Sequence, residues 1–272
     1  MLKTHQLIFL LITLLITWSV FIEPRWVATR HVSAKLPQTA KLQIAIVSDW
    51  HFTQRPLWRI MTPNHAHQIV SEINGSKPDI ILILGDLIAE ENQETKLAHT
   101  PEDEIANVLG QLKAPQGVYA VLGNHDWWYG AEKLKVALEK HGINVLENES
   151  KYLKKSNLWL VGIGDHSTDH TFVNKAFSQV PTNTPAIVMM HDPASFTEIN
   201  TKNALFFSGH THGGQVYLPW LGALIVPGAA PRNWAYGWIK HNKNWMYVTS
   251  GLGVSIFPIR FNMRPEWVLL NL

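Results

Sequence analysis

The segment 209–215, GHTHGGQ, contains two histidines whose type and spacing could do chemistry. They stand two residues apart, directly after the apolar segment 204–207 (ALFF). Glycine lets a chain turn sharply and approach other groups closely. A His-x-His pair on a loop is nevertheless more often polar surface than a metal site, so the pair has to be judged with the rest of the chain.

Four other segments that we predict to be strands also end in side chains that bind cations. In an α/β sheet the carboxyl ends of the strands line the ligand crevice, so these side chains should meet the histidine pair at one edge. A single strand that ends in Asp is commonplace, whereas five such ends with only Asp, Asn or His are not expected by chance. The residues are Asp49 and His51, Asp86, Asn124 with His125, and His191.

The ligand types indicate which metals such a site would bind. Imidazole, carboxylate and carboxamide groups suit Mn, Fe, Zn or Ni at an open site, and the chain has no cysteine to supply a thiolate. Seven candidate ligands besides His125 exceed what one ion can use, but two ions that share a bridging Asp could use them. Two metals ~3.5–4 Å apart clamp the attacking and leaving oxygens of an in-line displacement and lower the pKa of a bound water.

These blocks resemble the signature of the calcineurin-like metallophosphoesterases. The resemblance covers residues 42–272 and includes Asp-x-His, Gly-Asp, Gly-Asn-His-Asp, a lone His and Gly-His-x-His in that order. The extended GHTHGGQ, the LPWLGALIVP after it and SGLGVSIFPIRFNMRPE near the end resemble a bacterial subfamily of membrane-associated phosphodiesterases and enzymes similar to UDP-2,3-diacylglucosamine hydrolases. The resemblance implies a four-layer α/β/β/α sandwich and a phosphoric ester hydrolase with two divalent ions, manganese being preferred.

The resemblance also implies a role for each residue. The first ion would be held by Asp49, His51, Asp86 and His212. The second ion would be held by Asp86, Asn124, His191 and His210, with Asp86 as the bridge. His125 would lie next to the phosphate without binding an ion, and Asp126 would orient it; a helix cap is the other interpretation of Asp126. Trp50 departs from the family, in which a smaller apolar residue is common, and it could line the mouth of the site.

Two arginines and an apolar stretch are candidates for substrate contacts. Arg55 and Arg260 could clamp a phosphate, because guanidinium binds it through two hydrogen bonds, although a surface arginine is the commoner case. The stretch 218–227 is either a strand and core loop or an apolar rim that docks on a bilayer or takes an acyl chain. With Trp50, Trp58, Trp127 and Trp128, it favours a lipid-linked phosphoester as substrate.

The elements that must position these residues alternate along the chain, which indicates an α/β fold. We predict helices at 63–74, 102–112 and 131–141, the first with Thr62 as N-cap and Pro63 at its first position. Continuous apolar runs such as 79–84 are typical of strands buried on both faces. The predicted strands are 42–47, 79–84, 118–122, 158–163, 186–190, 205–207, 246–249 and 267–270.

The N-terminus precedes this domain and is apolar. Residues 4–22 carry no charge and would span about 28 Å as a helix, close to the ~30 Å hydrocarbon core. We therefore predict an anchor at 1–24, a tether at 25–41 and the catalytic domain at 42–272, with a cleaved signal peptide as the alternative. The flanking charges do not decide the orientation. We favour a bacterial inner membrane with the domain on its outer face, and the cytosolic face, which is expected for a UDP-linked lipid, is the alternative.

Composition limits the remaining function classes. A net charge of +2 over 272 residues does not indicate a nucleic-acid partner. Charged residues are sparse at 16% and there are 12 tryptophans, which suggests contact with something apolar. A metal-activated hydroxide attacking a phosphodiester or pyrophosphate is the function that these observations favour. A non-catalytic binding module on the same fold, or a metallohydrolase acting on a non-phosphorus centre, are the alternatives.

Overall fold

Continuous apolar runs form the central strands of two sheets that pack face to face. The computed structural model describes residues 3–89, 100–201 and 203–272. Ile44, Leu82, Leu160 and Phe207 are buried in the layer between the two sheets, where side chains of both interdigitate. Strands of this kind are apolar on both faces because each sheet is covered on both sides.

The first sheet has six strands and contains the N-terminal half of the domain. The strands, in spatial order, are β1 (Ala28–Ser33), β14 (Glu266–Asn271), β2 (Gln43–Val47), β3 (Ile80–Ile83), β4 (Val118–Ala120) and β5 (Ile143–Val145). Strands β2 to β5 run parallel, whereas β14 pairs with β2 in the antiparallel direction. The edge strand β1 runs parallel to β14.

The second sheet also has six strands. Its four inner strands run parallel to one another, and each edge strand pairs in the antiparallel direction with the inner strand beside it. A separate hairpin of β10 (Tyr217–Leu218) and β11 (Gly222–Ala223) stands beside it. The strands, in spatial order, are β12 (Gly237–His241), β13 (Asn244–Val248), β9 (Ala204–Ser208), β8 (Ala186–Met189), β7 (Leu158–Gly162) and β6 (Glu149–Leu153).

Helices cover the outer face of each sheet, and the two covers differ in thickness. The first sheet is covered by α2 (Pro63–Gly75), α3 (Glu102–Leu109) and α4 (Asn124–Lys140). The second sheet is covered by the four-residue α5 (Val173–Ala176) and by 3-10 turns. The predicted four-layer α/β/β/α sandwich is confirmed, with a thin fourth layer.

Local sequence explains where the helices begin. Thr62 caps α2 by accepting a hydrogen bond from the backbone N–H of His65, as predicted. α4 begins at Asn124, seven residues before the predicted start, and is kinked at Gly130, where φ is 140°. The turn before the kink carries His125, so the start of α4 forms part of the site.

The N-terminal segment is helical and apolar. α1 (Thr4–Thr17) continues through a π-helical turn, Trp18–Ile22, into a 3-10 turn, Glu23–Arg25. The 22 residues Thr4–Arg25 are long and apolar enough to cross a membrane. The first two residues of the predicted anchor lie outside the described residues.

The predicted tether at 25–41 differs from the structure, because it contains β1. That strand, ATRHVS, has few apolar residues and is mostly exposed. Its pairing with β14 is a long-range contact with the other end of the chain. Sequence periodicity could not reveal an edge strand of this kind, since periodicity is produced by a buried face.

Candidate metal centre

Both sheets contribute to one cluster of polar side chains at the carboxyl ends of their strands. The first sheet supplies the residues that follow β2, β3 and β4, and the second supplies those that follow β8 and β9. All seven predicted ligands are buried, none being more than 6% exposed. They are Asp49, His51, Asp86, Asn124, His191, His210 and His212.

Three of these side chains meet on one side of Asp86. Nε2 of His51 lies 3.0 Å from Nε2 of His212 and 3.9 Å from Oδ1 of Asp49. Nε2 of His212 lies 3.6 Å from the same Asp49 oxygen. Oδ2 of Asp86 is 3.5 Å from Nε2 of His51, so it closes the group.

The other three meet on the opposite side of the same carboxylate. Nε2 of His191 lies 3.2 Å from Oδ2 of Asp86, 3.2 Å from Oδ1 of Asn124 and 3.1 Å from Nδ1 of His210. The other ring nitrogen of His191 lies 2.8 Å from the carbonyl oxygen of Leu84, which fixes the ring orientation. Oδ2 of Asp86 therefore belongs to both groups.

These separations fit cation binding. Ligand atoms ~2.0–2.2 Å from one ion in tetrahedral or octahedral geometry lie about 3.0–3.5 Å apart. Most distances within each group fall in or just above this range, and the longest is the 3.9 Å between Nε2 of His51 and Oδ1 of Asp49. Asp49, His51 and His212 form one group of potential metal ligands, and Asp86, His191 and His210 form another. Imidazole, carboxylate and carboxamide together suit a divalent transition metal.

The electrostatics of the cluster indicate the same ligand chemistry. Burial lowers the pKa of His51 to about 3, so its ring is neutral and can donate a lone pair. Burial raises the pKa of Asp49 to about 6. Burial would also raise the pKa of Asp86, but positive charge on His191 and His125 holds it well below its usual range. A cation placed here would take over that stabilising role from the protons.

The backbone at the cluster adopts an uncommon conformation. Asp49, His51, Asp86, His210 and His212 all have φ between 47° and 68°, the left-handed region. Asp and His tolerate this region better than most side chains, and such residues concentrate at functional sites. The conformation turns each chain sharply after its strand, which directs consecutive side chains into the cluster. Gly123 is also required, because a Cβ there would meet the side chains of Asp86 and His191.

His125 lies beside the cluster on the first turn of α4. Its Nδ1 is 3.1 Å from the carbonyl oxygen of Ala89, and its ring packs edge-on against His51 and Trp128 at centroid distances of 4.9 and 5.0 Å. A ligand-type atom of His125 lies within 4.8 Å of those of His51 and Asp86. The geometry therefore permits either a contact with an ion or a contact with a bound substrate.

Asp126 is placed differently from the expectation that it orients His125. Its Oδ2 accepts a hydrogen bond from Gly123 N at 3.0 Å, and its Oδ1 accepts from Leu87 N and Ile88 N at 2.9 and 3.1 Å. Asp126 thus caps α4 and ties it to the loop after β3. The ring of His125 is instead positioned by the carbonyl oxygen of Ala89, which lies 3.1 Å from its Nδ1.

Arg260 is also placed differently from the phosphate clamp that we expected. Its side chain is fully buried and donates hydrogen bonds to the carbonyl oxygens of Gly253, Ser250 and Met263. It lies behind His212, with the guanidinium 3.5 Å from Nδ1 of that ring. Arg260 therefore organises the loop around the cluster from its inner side. Arg55 is half-buried, in the loop before α2.

Of the four tryptophans that the sequence analysis associates with a lipid-linked substrate, Trp128 reaches the site. It is 43% exposed and lines the cavity above the metal ligands. Trp50 is fully buried and stacks on Phe52 in the core between the first sheet and its helices, so it does not line the mouth as expected. Trp58 donates a hydrogen bond to the carbonyl of Ser255, and Trp127 stacks on His170.

The cavity over the cluster has a volume of about 530 Å³ and lies beside an apolar groove. The groove, about 250 Å³, is walled by Val216, Leu224, Ile225, Phe257 and Ile259. Its base includes His212, and the cavity and groove share the residues Pro227, Ser255 and Ile256. The two spaces are therefore adjacent and share part of their walls.

Sequence reasoning missed two residues of the cavity wall, Ser167 and Gly228. Ser167 donates a hydrogen bond of 2.7 Å to Oδ2 of Asp192, which in turn lies 3.9 Å from Nε2 of His210. Asp192 directly follows the predicted ligand His191, so its position in the sequence could have indicated a polar contact at the cavity wall. Gly228 approaches the ring of His210 so closely that a Cβ would lie 2.7 Å from Nε2. That contact spans 18 residues and leaves no pattern in the sequence.

Residues 42–214 match the family model described as calcineurin-like phosphoesterase. The chain belongs to this family. It is 30% identical over 228 residues to the metallophosphoesterase YkuE of Bacillus subtilis, a match that covers 81% of this chain and 77% of that one. It is 28% identical over 260 residues to the phosphodiesterase YaeI of Escherichia coli, covering 93% and 90% of the two chains.

A third relative is named as a transmembrane protein. The transmembrane protein with metallophosphoesterase domain of Danio rerio is 29% identical, and the match covers 85% of this chain and 53% of that protein. Family membership and the cluster of buried His and Asp side chains make this calcineurin-like phosphoesterase a metal-dependent phosphoric ester hydrolase. The family uses divalent metals, and the cluster could bind them.

Proposed function

We propose that the chain is a membrane-anchored phosphoesterase with two divalent ions, which hydrolyses a phosphodiester or pyrophosphate bond of a lipid-linked substrate. The observation that carries the proposal is that the apolar groove lies directly beside the polar cavity, with Pro227, Ser255 and Ile256 in the walls of both. A phosphate could reach the ligand cluster while an attached hydrocarbon chain lies in the groove. Nucleotide and sugar phosphates without such a chain would leave the groove exposed to water.

Each half of the cluster would hold one ion. In this proposal Asp49, His51 and His212 would hold the first ion and Asn124, His191 and His210 would hold the second, while Asp86 would be shared by both. The shared position of Oδ2 of Asp86, 3.5 Å from Nε2 of His51 and 3.2 Å from Nε2 of His191, supports the bridge. Bound divalent ions, with manganese preferred and Fe, Zn or Ni as alternatives, would neutralise phosphate charge and lower the pKa of water.

His125 would act on the phosphoryl group rather than on an ion. Its Nδ1 faces the Ala89 carbonyl, which is a hydrogen-bond acceptor, so that nitrogen carries the ring proton. His125 also lines the cavity, and its opposite nitrogen, Nε2, would carry a second proton toward the leaving oxygen. The packing of His51 and Trp128 against the ring holds it in this orientation.

Hydrolysis of a chromogenic diester tests the reaction class. We expect the chelated full-length protein to be inactive toward bis(p-nitrophenyl) phosphate and to regain activity with Mn²⁺. A protein that binds metal but never cleaves the diester would support a non-catalytic binding module instead. Cleavage of a carboxylic ester or amide, without cleavage of the diester, would support a hydrolase acting on a non-phosphorus centre.

A series of phosphodiesters with lengthening alkyl tails tests the substrate class. Each methylene that enters the groove should lower KM, by up to about fourfold if it is fully buried, as ~0.8 kcal/mol per CH₂ implies. The decrease should stop once the groove is full. A KM that does not change with tail length would contradict a lipid-linked substrate and leave the phosphoesterase activity standing.

For the location, we propose a bacterial inner membrane with the domain on the outer face. The apolar Thr4–Arg25 supports an anchor, and short N-terminal anchors often export the domain attached to them. The chain lacks cysteine, so a single cysteine at the exposed Val136 can report the topology. We expect a membrane-impermeant maleimide to label it in intact spheroplasts. Labelling only after lysis would place the domain in the cytoplasm, and full-length protein in the soluble fraction would contradict the anchor.

A further inference from the structure

The tip of the β10–β11 hairpin exposes large apolar side chains to solvent. Trp220 is fully exposed and Leu221 is 61% exposed. Neither side chain lines the groove beside the metal cavity, so substrate binding there does not account for them. Exposed apolar surface of this kind marks a site of interaction with a protein or a membrane.

The N-terminal helix is joined firmly to the domain near this tip. The backbone N–H of Glu23 bonds to the carbonyl of Trp18, and Pro24 has no N–H to offer the next carbonyl, that of Ser19. The domain supplies the missing donor, because the N–H of Arg260 donates to that Ser19 oxygen at 2.9 Å. A backbone carbonyl in or near hydrocarbon requires such a partner.

A buried carboxylate strengthens the joint. Glu23 is 2% exposed, and its two oxygens accept hydrogen bonds from the backbone N–H of Met263 at 2.7 Å and from Nε1 of Trp18 at 2.6 Å. The guanidinium of Arg264 stacks on Trp26 at 3.8 Å and donates to its carbonyl oxygen. The helix end therefore has a defined position on the domain.

The same segment of the domain carries the hairpin. Tyr217 N donates to the carbonyl of Phe261 at 2.9 Å, and the side chain of Asn262 donates to the carbonyl of Tyr217 at 3.2 Å. A depression beside this contact is lined by Trp18 of the helix and by Pro219 of the hairpin turn. The hairpin tip thus lies next to the end of the helix.

The contact at Ser19 sets the height of the hairpin relative to a membrane. Ser19 precedes Ile22, the last residue of the uncharged run, by three residues, or about 5 Å of helix. The domain therefore touches the helix inside the apolar span as well as at Glu23 and Trp26 beyond it. We propose that the hairpin tip Pro219–Leu221 inserts into the bilayer that holds the helix, as a second membrane contact. This inference rests on the proposed anchor.

The chemistry of the tip suits that position. Tryptophan is enriched at the boundary between hydrocarbon and headgroups, where Trp220 would lie. The exposed Arg232 shares a surface depression with Trp220 and Leu221, so its guanidinium can reach headgroup phosphates. With two contacts the domain cannot rotate about the helix, and the groove mouth at Ile256 and Phe257 is held near the membrane surface.

Spin labels on the full-length protein test this placement. The absence of cysteine from the sequence allows single nitroxides at Leu221→Cys, at Trp220→Cys, at Phe9→Cys in the helix and at Val136→Cys on α4. Val136 is the matched control, because it is 63% exposed against 61% for Leu221. Collision rates with oxygen and with a nickel chelate are measured in phosphatidylethanolamine–phosphatidylglycerol vesicles.

We expect labels at 220 and 221 to lie ~5–10 Å below the phosphate level, as for interfacial segments, while the label at 136 stays in water. Labels at 220 and 221 that are as accessible to the chelate as the label at 136, while the label at 9 is immersed, would overturn the hairpin contact alone. A label at 9 that is also in water would overturn the anchor and the hairpin contact with it. Spin–spin broadening between labels at 221 would show that a second copy covers the tip, and would overturn the inference as well.

Discussion

The seven predicted metal ligands, which we call the floor of the cavity, are polar but buried. The apolar side chains of the hairpin and of the loops beside the groove, which we call the rim, are exposed. In the floor, seven polar residues are at most 6% exposed. In the rim, Trp220, Leu221, Ile225 and Phe257 are all more than half exposed. Buried polar groups and exposed apolar surface are the informative exceptions to normal burial, because each is unfavourable until a partner is supplied. Bound cations would stabilise the polar groups of the floor, and contact with hydrocarbon would remove the apolar side chains of the rim from water.

The two regions also differ in how the backbone holds them. Floor side chains are fixed by backbone groups: the N–H of His210 donates to both oxygens of Asp49, and the N–H of His125 donates to Oδ1 of Asp86. The rim consists of the short β10–β11 hairpin and the loop at 255–259. Gln215, just before the hairpin, joins the two through side-chain hydrogen bonds to the backbone of that loop. Substitutions in the floor should therefore act on chemistry, and those in the rim on affinity.

Removing the shared carboxylate should have the largest effect on the floor. We expect Asp86→Ala to lose both cations, because its Oδ2 belongs to both ligand groups. Activity should fall by more than the ~10²–10⁴-fold that a single acid–base residue contributes. Elemental analysis of the purified protein measures the ions, with Asp103→Ala on the exposed start of α3 as control. One ion that stays tightly bound would show that Asp86 is not shared.

Replacing His125 should separate chemistry from metal binding. We expect His125→Ala to keep both ions and to lower kcat by roughly 10²–10⁴-fold, with a smaller change in KM. The loss should shrink for p-nitrophenolate, because a good leaving group needs little protonation. His141→Ala, at the far end of α4, is the matched control. Loss of metal would make His125 a ligand, and equal losses for good and poor leaving groups would contradict the acid role.

A polar substitution in the groove should affect the rim alone. We expect Ile225→Ser to raise KM for a long-tailed phosphodiester by about tenfold, given ~1.5–3 kcal/mol for burying such a side chain fully. The kcat for bis(p-nitrophenyl) phosphate should be unchanged, since that substrate has no tail. Val136→Ser, equally exposed on α4, provides the control. A fall in kcat for both substrates would mean that the groove supports the metal floor.

A buried carboxyl group near the floor should have the smallest effect, on stability. Burial raises the pKa of Glu147 to about 8, and its Oε2 has no hydrogen-bonding partner among the described residues. The folded state therefore keeps a proton that the unfolded state releases above about 4.5, so stability should fall as pH rises from about 4.5 to 8.

Glu147→Gln removes this titration. We expect the variant to match the wild type at pH 5 and to exceed it by about 1–3 kcal/mol at pH 8, the usual penalty for an unsatisfied buried group. Thermal unfolding in detergent at the two pH values measures the difference. A variant less stable at both pH values would show that the carboxyl is needed for packing. Asp86 and Glu147 are thus buried in different ways: the charge of Asp86 is stabilised by nearby positive charge, whereas Glu147 is stable in the folded protein when it is protonated.

The sequence was sufficient to predict the fold class and the set of candidate ligands. Buried strands leave continuous apolar runs, and the residue after each run is fixed in position by the end of the strand. Asp86 after β3 and His191 after β8 could therefore be assigned to one edge before their distances were known. The apolar segment at the N-terminus was equally visible, because hydrophobicity and length are local properties.

Other features depended on contacts between distant parts of the chain, and only the tertiary structure decided them. β1 became a strand through pairing with β14, and Asp126 became a cap because three N–H groups from two loops converge on it. Arg260 carries the same charge as a phosphate clamp, but the carbonyls around it hold it behind His212. Residue type states which interactions a side chain can make; the fold decides which of them its neighbours allow.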